Sequence, residues 1–190
     1  MGDADPDHGL LDALRSKNAA TRRAAEHDVF ARFHPSVDRL MRRMLGRDAD
    51  DCVQEALVDV FRGLPRFEGR AKLSTWVYRV ALRRAWKCAA QERRDRRRTS
   101  GEPIEERAVV DPAPGVLAGA ELARRFAAAL EELDLDQRTV MALSAVEGLD
   151  PSEIAEVLGV PVGTVHSRTS RARARLRRLL GIGGEEPARG

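Results

Sequence analysis

The stretch that most constrains this chain is 151–180, PSEIAEVLGVPVGTVHSRTSRARARLRRLL. Asp150 stands before Pro151 as an N-cap, and Glu153 falls in the first turn of the helix that begins there. Ile154, Ala155 and Leu158 share one face at helical spacing. Gly159 ends that helix, because only glycine takes the left-handed conformation cheaply. Val160 plugs the turn and Pro161 pre-sets the next helix. On that helix Val165, Thr169, Ala172, Leu176 and Leu179 recur at steps of three and four and are expected to pack inward. A small residue at the crossing, a glycine four positions on and an aliphatic six beyond that form a joint pattern. It points to a helix-turn-helix more than to an ordinary helical hairpin with a basic surface.

The charge of this stretch weighs the same way. No acidic residue lies between Glu156 and Glu185, while Arg168, Arg171, Arg173, Arg175, Arg177 and Arg178 all do. A helix laced for solubility alternates its signs. A one-signed helix suits a phosphate backbone. The net charge of the whole chain is only +3 with 33% charged residues, so distribution carries the signal. Acids gather at 48–59 and 131–136, bases at 79–98 and 168–178.

The 190 residues suffice for one or two small domains. Helical patterning runs from Leu10 to His34 and is interrupted by Pro35; Val37, Leu40, Met41, Met44 and Leu45 then form an apolar stripe closed by Gly46. Asp48 or Asp50 caps the next helix, which turns Val53, Ala56, Leu57, Val60, Phe61 and Leu64 inward. Gly63 and Pro65 end it, a loop spans 66–73, and Ser74 caps a long helix to about Arg94. Pro103, Pro112 and Pro114, with few apolar neighbours, mark a linker. Two further helices, carrying Phe126, Leu130 and Leu133 and then Val140 and Leu143, lead into the helix-turn-helix. The expectation is an all-α chain of two small helical domains joined by a flexible linker. Residues 1–14 are a flexible tail, 15–94 a three- or four-helix bundle, 95–116 the linker, 117–180 the helix-turn-helix domain and 181–190 a disordered tail. Cys52 and Cys88 are expected as small buried apolar residues, being too few and too far apart for a metal site or disulfide framework. The N-terminus lacks the basic and apolar regions of a signal peptide, and no apolar run is long enough to span a membrane. A cytoplasmic protein with no membrane insertion is expected.

Two constellations carry possible chemistry. Asp50, Asp51, Gln54, Glu55 and Asp59 line the outer face of their helix. As a di-metal site it lacks the Glu-x-x-His pairs on facing helices that such bundles use, so no metal is expected. A solvated face and a docking surface for a basic partner helix both remain open. Seven of the eight aromatics lie between Phe30 and Trp86, and Phe67, Trp76, Tyr78 and Trp86 accompany a run of Arg and Lys. Aromatics among bases can stack splayed nucleobases and hold phosphates; Trp76 and Phe61 individually read better as core. The loop 66–72, with Gly69, is the better candidate for reading a flipped base. No phosphate-cradling Gly-rich loop, HExxH or Cys-His arrangement occurs, so no catalytic residue and no cofactor are expected.

Three stretches in order resemble one family. DADDCVQEALVDVF (48–61) resembles the core-polymerase-binding segment of bacterial sigma factors, FEGRAKLSTWVYRVA (67–81) their promoter-melting segment, and 129–180 their region 4. With two domains and a short linker, the chain resembles a group IV, or extracytoplasmic-function (ECF), sigma factor over about 15–180. The resemblance implies a subunit of RNA polymerase with no turnover of its own. Asp50, Asp51, Gln54, Glu55 and Asp59 would dock on the clamp helices of the largest subunit. Phe67, Glu68, Arg70 and Lys72 would capture a −10 base of the non-template strand, beside Ser74, Thr75 and Trp76, with Arg79, Arg83, Arg84 and Lys87 on its phosphates. The family often has Arg-Asn where this chain has Leu82 and Arg83. Val162, Gly163, His166, Ser167 and Arg171 would face the −35 major groove, with Thr164 and Arg168 near its backbone. Arg175 and Arg178 would touch phosphate or the polymerase flap. Partners implied are core RNA polymerase, promoter DNA as duplex and single strand, and, as is common in the family, an anti-sigma factor. The rival readings are a LuxR-like regulator that binds duplex DNA without melting it and an enzyme built on the acidic helix.

Overall fold

Asn18 sets the first boundary of the fold. Its side-chain oxygen accepts from the backbone N–H of Ala20 at 2.9 Å and of Thr21 at 3.3 Å, capping helix α2 (Ala19–Leu45). A short helix, α1 (His8–Leu14), precedes it. The break expected at Pro35 therefore falls at 15–18, and Pro35 sits inside a continuous α2. An interior proline costs about 3 kcal/mol. Burial offsets that cost: Val29, Phe33, Val37, Leu40, Met41 and Met44, on both sides of the proline, are buried in one core, and a break would swing half of them out of it. The computed structural model describes residues 7–46, 49–98 and 117–182. Of the linker expected over 95–116, residues 95–98 are instead helical; the remainder, 99–116, the ends at 1–6 and 183–190, and Asp48 as a cap lie outside the described residues.

Helix α3 (Asp50–Gly63) buries Val53, Ala56, Leu57 and Val60. Asp50 and Asp51 lie in its first turn, where they complement the helix dipole, and Ala49 rather than Asp50 occupies the cap position. A 3-10 turn (Leu64–Arg66) and a loop lead to α4 (Leu73–Arg98). That helix begins two residues earlier than a Ser74 cap implies, so Ser74 is inside its first turn rather than its cap. Cys52 and Cys88 form a disulfide between α3 and α4, with their Cα atoms 6.6 Å apart. This corrects the expectation of two unconnected apolar cysteines: they stand 36 residues apart in sequence but meet because the two helices are packed neighbours.

The expected flexible tail over 1–14 is also corrected from Asp7 onward. Leu11 joins the main core, and Asp7 is buried. α1 is held because its apolar face covers the underside of α2 and the 66–73 loop.

In the second half, α5 (Leu117–Glu131), α6 (Leu135–Glu147), α7 (Pro151–Leu158) and α8 (Val162–Leu180) follow. Asp134 caps α6 through the N–H of Gln137 at 2.8 Å. Ala129, Leu130 and Leu133 pack on Ala172 and Leu176, tying α5 to α8. The two helical halves meet along a continuous seam. Val140, Leu143, Ile154 and Val165 belong to the same buried cluster as Leu40, Val77 and Ala81. Arg138 Nη1 donates to the carbonyl of Met44 at 2.8 Å, and the indole N–H of Trp86 reaches Thr139 Oγ1 at 3.4 Å. No described helix is long and apolar enough to cross a membrane.

Candidate nucleic-acid interface

The helix-turn-helix is built by local chemistry. Asp150 Oδ1 accepts from the N–H of Ser152 at 2.7 Å and of Glu153 at 2.9 Å, and Glu153 Oε2 accepts from the Asp150 N–H at 3.2 Å. This reciprocal capping box satisfies donors at both ends of the turn. Gly159 takes φ +66°, where a side chain would be strained, and the next N–H, of Val160, returns to Ala155 at 3.1 Å. Ile154, Ala155 and Val165 close the crossing in full burial. Ala172 and Leu176 are buried as expected, but Thr169 is only half-buried and Leu179 is exposed at the outer end of α8.

The outward face of α8 presents Val162, Gly163, His166 and Arg171, all exposed, with Thr164, Ser167 and Arg175 half-buried beside them. Ser167 Oγ donates to the Thr164 carbonyl at 3.0 Å, which turns its hydroxyl along the helix. Arg168 is ion-paired with Asp136 of α6. That pair takes one guanidinium of the basic helix into the fold; Arg171, among the described residues, makes a long contact, 3.4 Å, to Ser167 Oγ.

The loop and the start of α4 form a second surface. Phe67 is buried, and its ring lies 5.2 Å from that of the half-buried Trp76. Trp76 lies so close to α3 that a Cβ on Gly63 would sit 2.8 Å from its ring; glycine is required there for contact rather than for backbone conformation. Thr75 is buried, Ser74 half-buried, and Glu68, Arg70 and Lys72 project from the loop, with Glu68 and Arg70 ion-paired at 2.6 Å. Arg83 and Lys87 are exposed on α4 one and two turns beyond Arg79. Leu82, where the family often has a basic residue, is fully buried.

Two of these bases face the other half of the chain. Lys72 Nζ lies 3.3 Å from Glu153 of α7, and Arg79 Nε donates to the Glu156 carbonyl at 3.2 Å. Tyr78 donates to Glu147 Oε2 at 2.7 Å. Helices α6 and α7 therefore lie over part of the aromatic-basic surface. Sequence periodicity could not report this, because it depends on how the halves are placed.

The acidic face of α3 divides in two. Asp51 and Gln54 are exposed. Asp50 pairs with Arg42 at 2.5 Å, and its hydrogen bond, with those of Asp38, raises the Arg42 pKa. Arg84, only 17% exposed, bridges Asp59 and Glu55, the latter at 2.8 Å. The structure thus brings Arg84 to the acidic group rather than to Arg79, Arg83 and Lys87. Sequence reasoning missed Asp7, Arg15, Arg39 and Glu147, which make contacts between distant elements; none sits in a motif.

Comparison with known proteins identifies the family. The family model for sigma-70 region 2 matches residues 29–99, and that for sigma-70 region 4 matches 123–176. An ECF RNA polymerase sigma factor, SigM of Mycobacterium tuberculosis (strain ATCC 25618 / H37Rv), is 34% identical over 177 residues, covering 92% of this chain and 87% of that protein. The chain belongs to the ECF branch of the sigma-70 family. The ECF RNA polymerase sigma-E factor of Escherichia coli (strain K12) is 32% identical, covering 76% of this chain and 81% of its own length. Among solved structures, CnrH in complex with the cytosolic domain of CnrY matches with TM-score 0.65 and 30% identity, covering 96% of this chain and all of that one. RpoE in complex with the anti-sigma factor NepR, from Bartonella quintana, matches with TM-score 0.67 and 25% identity over 83% of this chain and 98% of that one. In this ECF sigma factor the region-2 match runs from within α2 to the end of α4, and the region-4 match from within α5 to near the end of α8.

Proposed function

We propose that this chain is a promoter-specificity subunit: it docks on core RNA polymerase, places α8 on duplex −35 DNA and uses the 67–72 loop and α4 to melt and trap −10 bases. The observation that carries the reading is the exposed, one-signed face of α8 in a helix-turn-helix whose first helix is closed by a capping box, in one chain with a region-2 match. A LuxR-like regulator has no use for region 2, and the comparisons give that rival no support. Asp50, Asp51, Gln54, Glu55 and Asp59 remain the proposed docking face, with Asp51 and Gln54 its freest members. Val162, Gly163, Thr164, His166, Ser167, Arg168, Arg171 and Arg175 remain the proposed −35 surface.

The protein adds no catalytic group; melting is driven by binding. Unstacking costs a few kcal/mol per flipped base, and stacking with phosphate contacts returns about 1–3 kcal/mol per base. Because region 4 lies over Lys72 and Arg79, engagement of both promoter elements requires the seam to open. An anti-sigma factor is a further proposed partner; two solved relatives are complexes, one with the anti-sigma factor NepR and one with the cytosolic domain of CnrY. The proposed site of action is the cytoplasm, with the polymerase.

The test is transcription in vitro with bacterial core RNA polymerase on a library of random upstream sequences. Transcripts that need the protein, from templates sharing two motifs at fixed spacing, are expected. Binding to DNA alone with no initiation would overturn the reading.

A further inference from the structure

The base-reading loop has a floor, and that floor is α1. Three contacts from this one short helix and its cap bracket the loop. At its beginning, Arg15 Nη2 donates to the carbonyl of Phe67 at 3.0 Å. In its middle, Leu11, 8% exposed, places Cδ1 3.8 Å from where a Cβ on Gly69 would stand; Gly69 has φ +76°. At its end, Asp7 Oδ2 accepts from the backbone N–H of Leu73 at 3.0 Å.

The last contact is the most informative. The first N–H groups of a helix have no partner within it, and α4 has none of the usual capping side chains before it: Lys72 precedes Leu73. A carboxylate 66 residues earlier in the chain satisfies the first donor instead. Asp7 is only 3% exposed, and its other oxygen, Oδ1, is held 2.6 Å from Arg32 Nη1 of α2. A buried carboxylate with a guanidinium on one oxygen and a helix N–H on the other has its direction fixed by both. It sets where α4 begins, and so where Ser74, Thr75, Trp76 and Arg79 stand relative to the loop.

We propose that Asp7, with Arg15, is a positioning residue for −10 recognition: the two hold the ends of the 67–72 loop at the spacing that admits one flipped base. The inference rests on the promoter-subunit reading above. Neither side chain touches DNA in this role. Both act through backbone atoms of Phe67 and Leu73, so loss of either widens what the loop accepts while the docking face and α8 are untouched.

The test uses the full chain with core RNA polymerase and two readouts. The first is hydrogen exchange. In Asp7→Ala the amides of 67–76 should exchange at least about 10-fold faster, the loss expected for one charge-assisted bond to a helix N–H, while those of 53–60 keep their protection. The second is selection from the random upstream library. Asp7→Ala and Arg15→Ala should relax base preference at one or two −10 positions and leave the −35 motif and core affinity as in the parent. Asp7→Asn, whose amide oxygen can still accept from Leu73, should recover most of the −10 preference. Faster exchange with an unchanged −10 motif would overturn the proposal. So would unchanged exchange, or a parallel loss of both motifs with core affinity, which marks a general folding role. Should Asp7→Ala fail to fold, Arg15→Ala carries the same test. A parent chain that selects no motif would overturn the polymerase-subunit reading itself, and that result is visible before any variant is made.

Discussion

The phenolic hydroxyl of Tyr78, on α4, donates to Glu147 Oε2, at the end of α6, across 2.7 Å. Arg39 of α2 reaches the same oxygen at 3.4 Å, and the side chain of Glu147 is only 3% exposed. Its Oε1 is buried without a hydrogen-bond partner among the described residues. This contact joins region 2 to region 4 at the place where region 2 is proposed to meet the promoter strand, and it can be read optically.

Tyr78 is the only tyrosine of the chain, so the phenolate absorbance belongs to it alone. Burial, then its hydrogen bond to Glu147, hold its pKa well above the ordinary value of about 10. A group whose folded pKa is raised contributes stability in full below its unfolded pKa and loses it as pH climbs through the folded one. Stability should therefore fall as pH rises above about 10, and phenolate should appear only beyond that point. Glu147→Ala should bring the absorbance midpoint down toward the ordinary value; an unmoved midpoint would dissociate the two residues.

Glu147→Ala also leaves the Tyr78 hydroxyl buried without its acceptor, a loss of about 1–3 kcal/mol. The seam should open more often and free Lys72 and Arg79. Affinity for single-stranded DNA, measured by anisotropy of a labelled oligonucleotide, is expected to rise about 10-fold, which corresponds to about 1.4 kcal/mol. Equal affinity in parent and variant would mean that region 4 does not cover the strand path in solution.

The Cys52–Cys88 bridge closes a segment of 36 residues between α3 and α4. In the chain-entropy account a loop of this length contributes about 4 kcal/mol by restricting the unfolded chain. Reductant should lower the denaturation midpoint of the parent and have no effect on Cys88→Ser. A parent insensitive to reductant would remove the bridge from the stability of region 2.

Arg83 and Arg84 are neighbours with opposite expected phenotypes. Arg84→Ala removes the half-buried guanidinium that pairs Glu55 and Asp59 and should cost about 1 kcal/mol in a urea titration. Arg83→Ala, exposed on α4, should leave that titration alone. It should instead lower the salt dependence of promoter binding by about one counterion. The reverse pattern would exchange their roles.

Arg171→Ala should weaken −35-dependent initiation by about 1–3 kcal/mol, at least several-fold in transcript yield, with the loss confined to promoters carrying that element. Equal loss on promoters lacking it would place Arg171 on phosphate.

The helix-turn-helix was legible because its causes are local. Asp150, Glu153, Ala155 and Gly159 act within a dozen residues, through backbone groups they can reach without any other element. The acidic face of α3 was legible as a face, since helical periodicity fixes which residues point outward, but its internal pairing with Arg42 and Arg84 was not. Pro35 misled because its local cost was smaller than the burial of Phe33 and Val37 on either side of it; Asn18, the true boundary, was a cap signal in plain view.

The sequence alone determined most of the helices and their apolar faces, the turn at Gly159 and the family that their order implies; α1, the passage of α2 through Pro35 and the start of α4 it did not. Only the tertiary structure decided which side chains meet across elements. Cys52 finds Cys88, Asp7 finds Leu73 and Tyr78 finds Glu147 at separations of 36, 66 and 69 residues. Periodicity tells each helix which face to bury. It carries no information on the angle and offset at which two faces pack, and a bond of about 3 Å between distant residues depends on those alone.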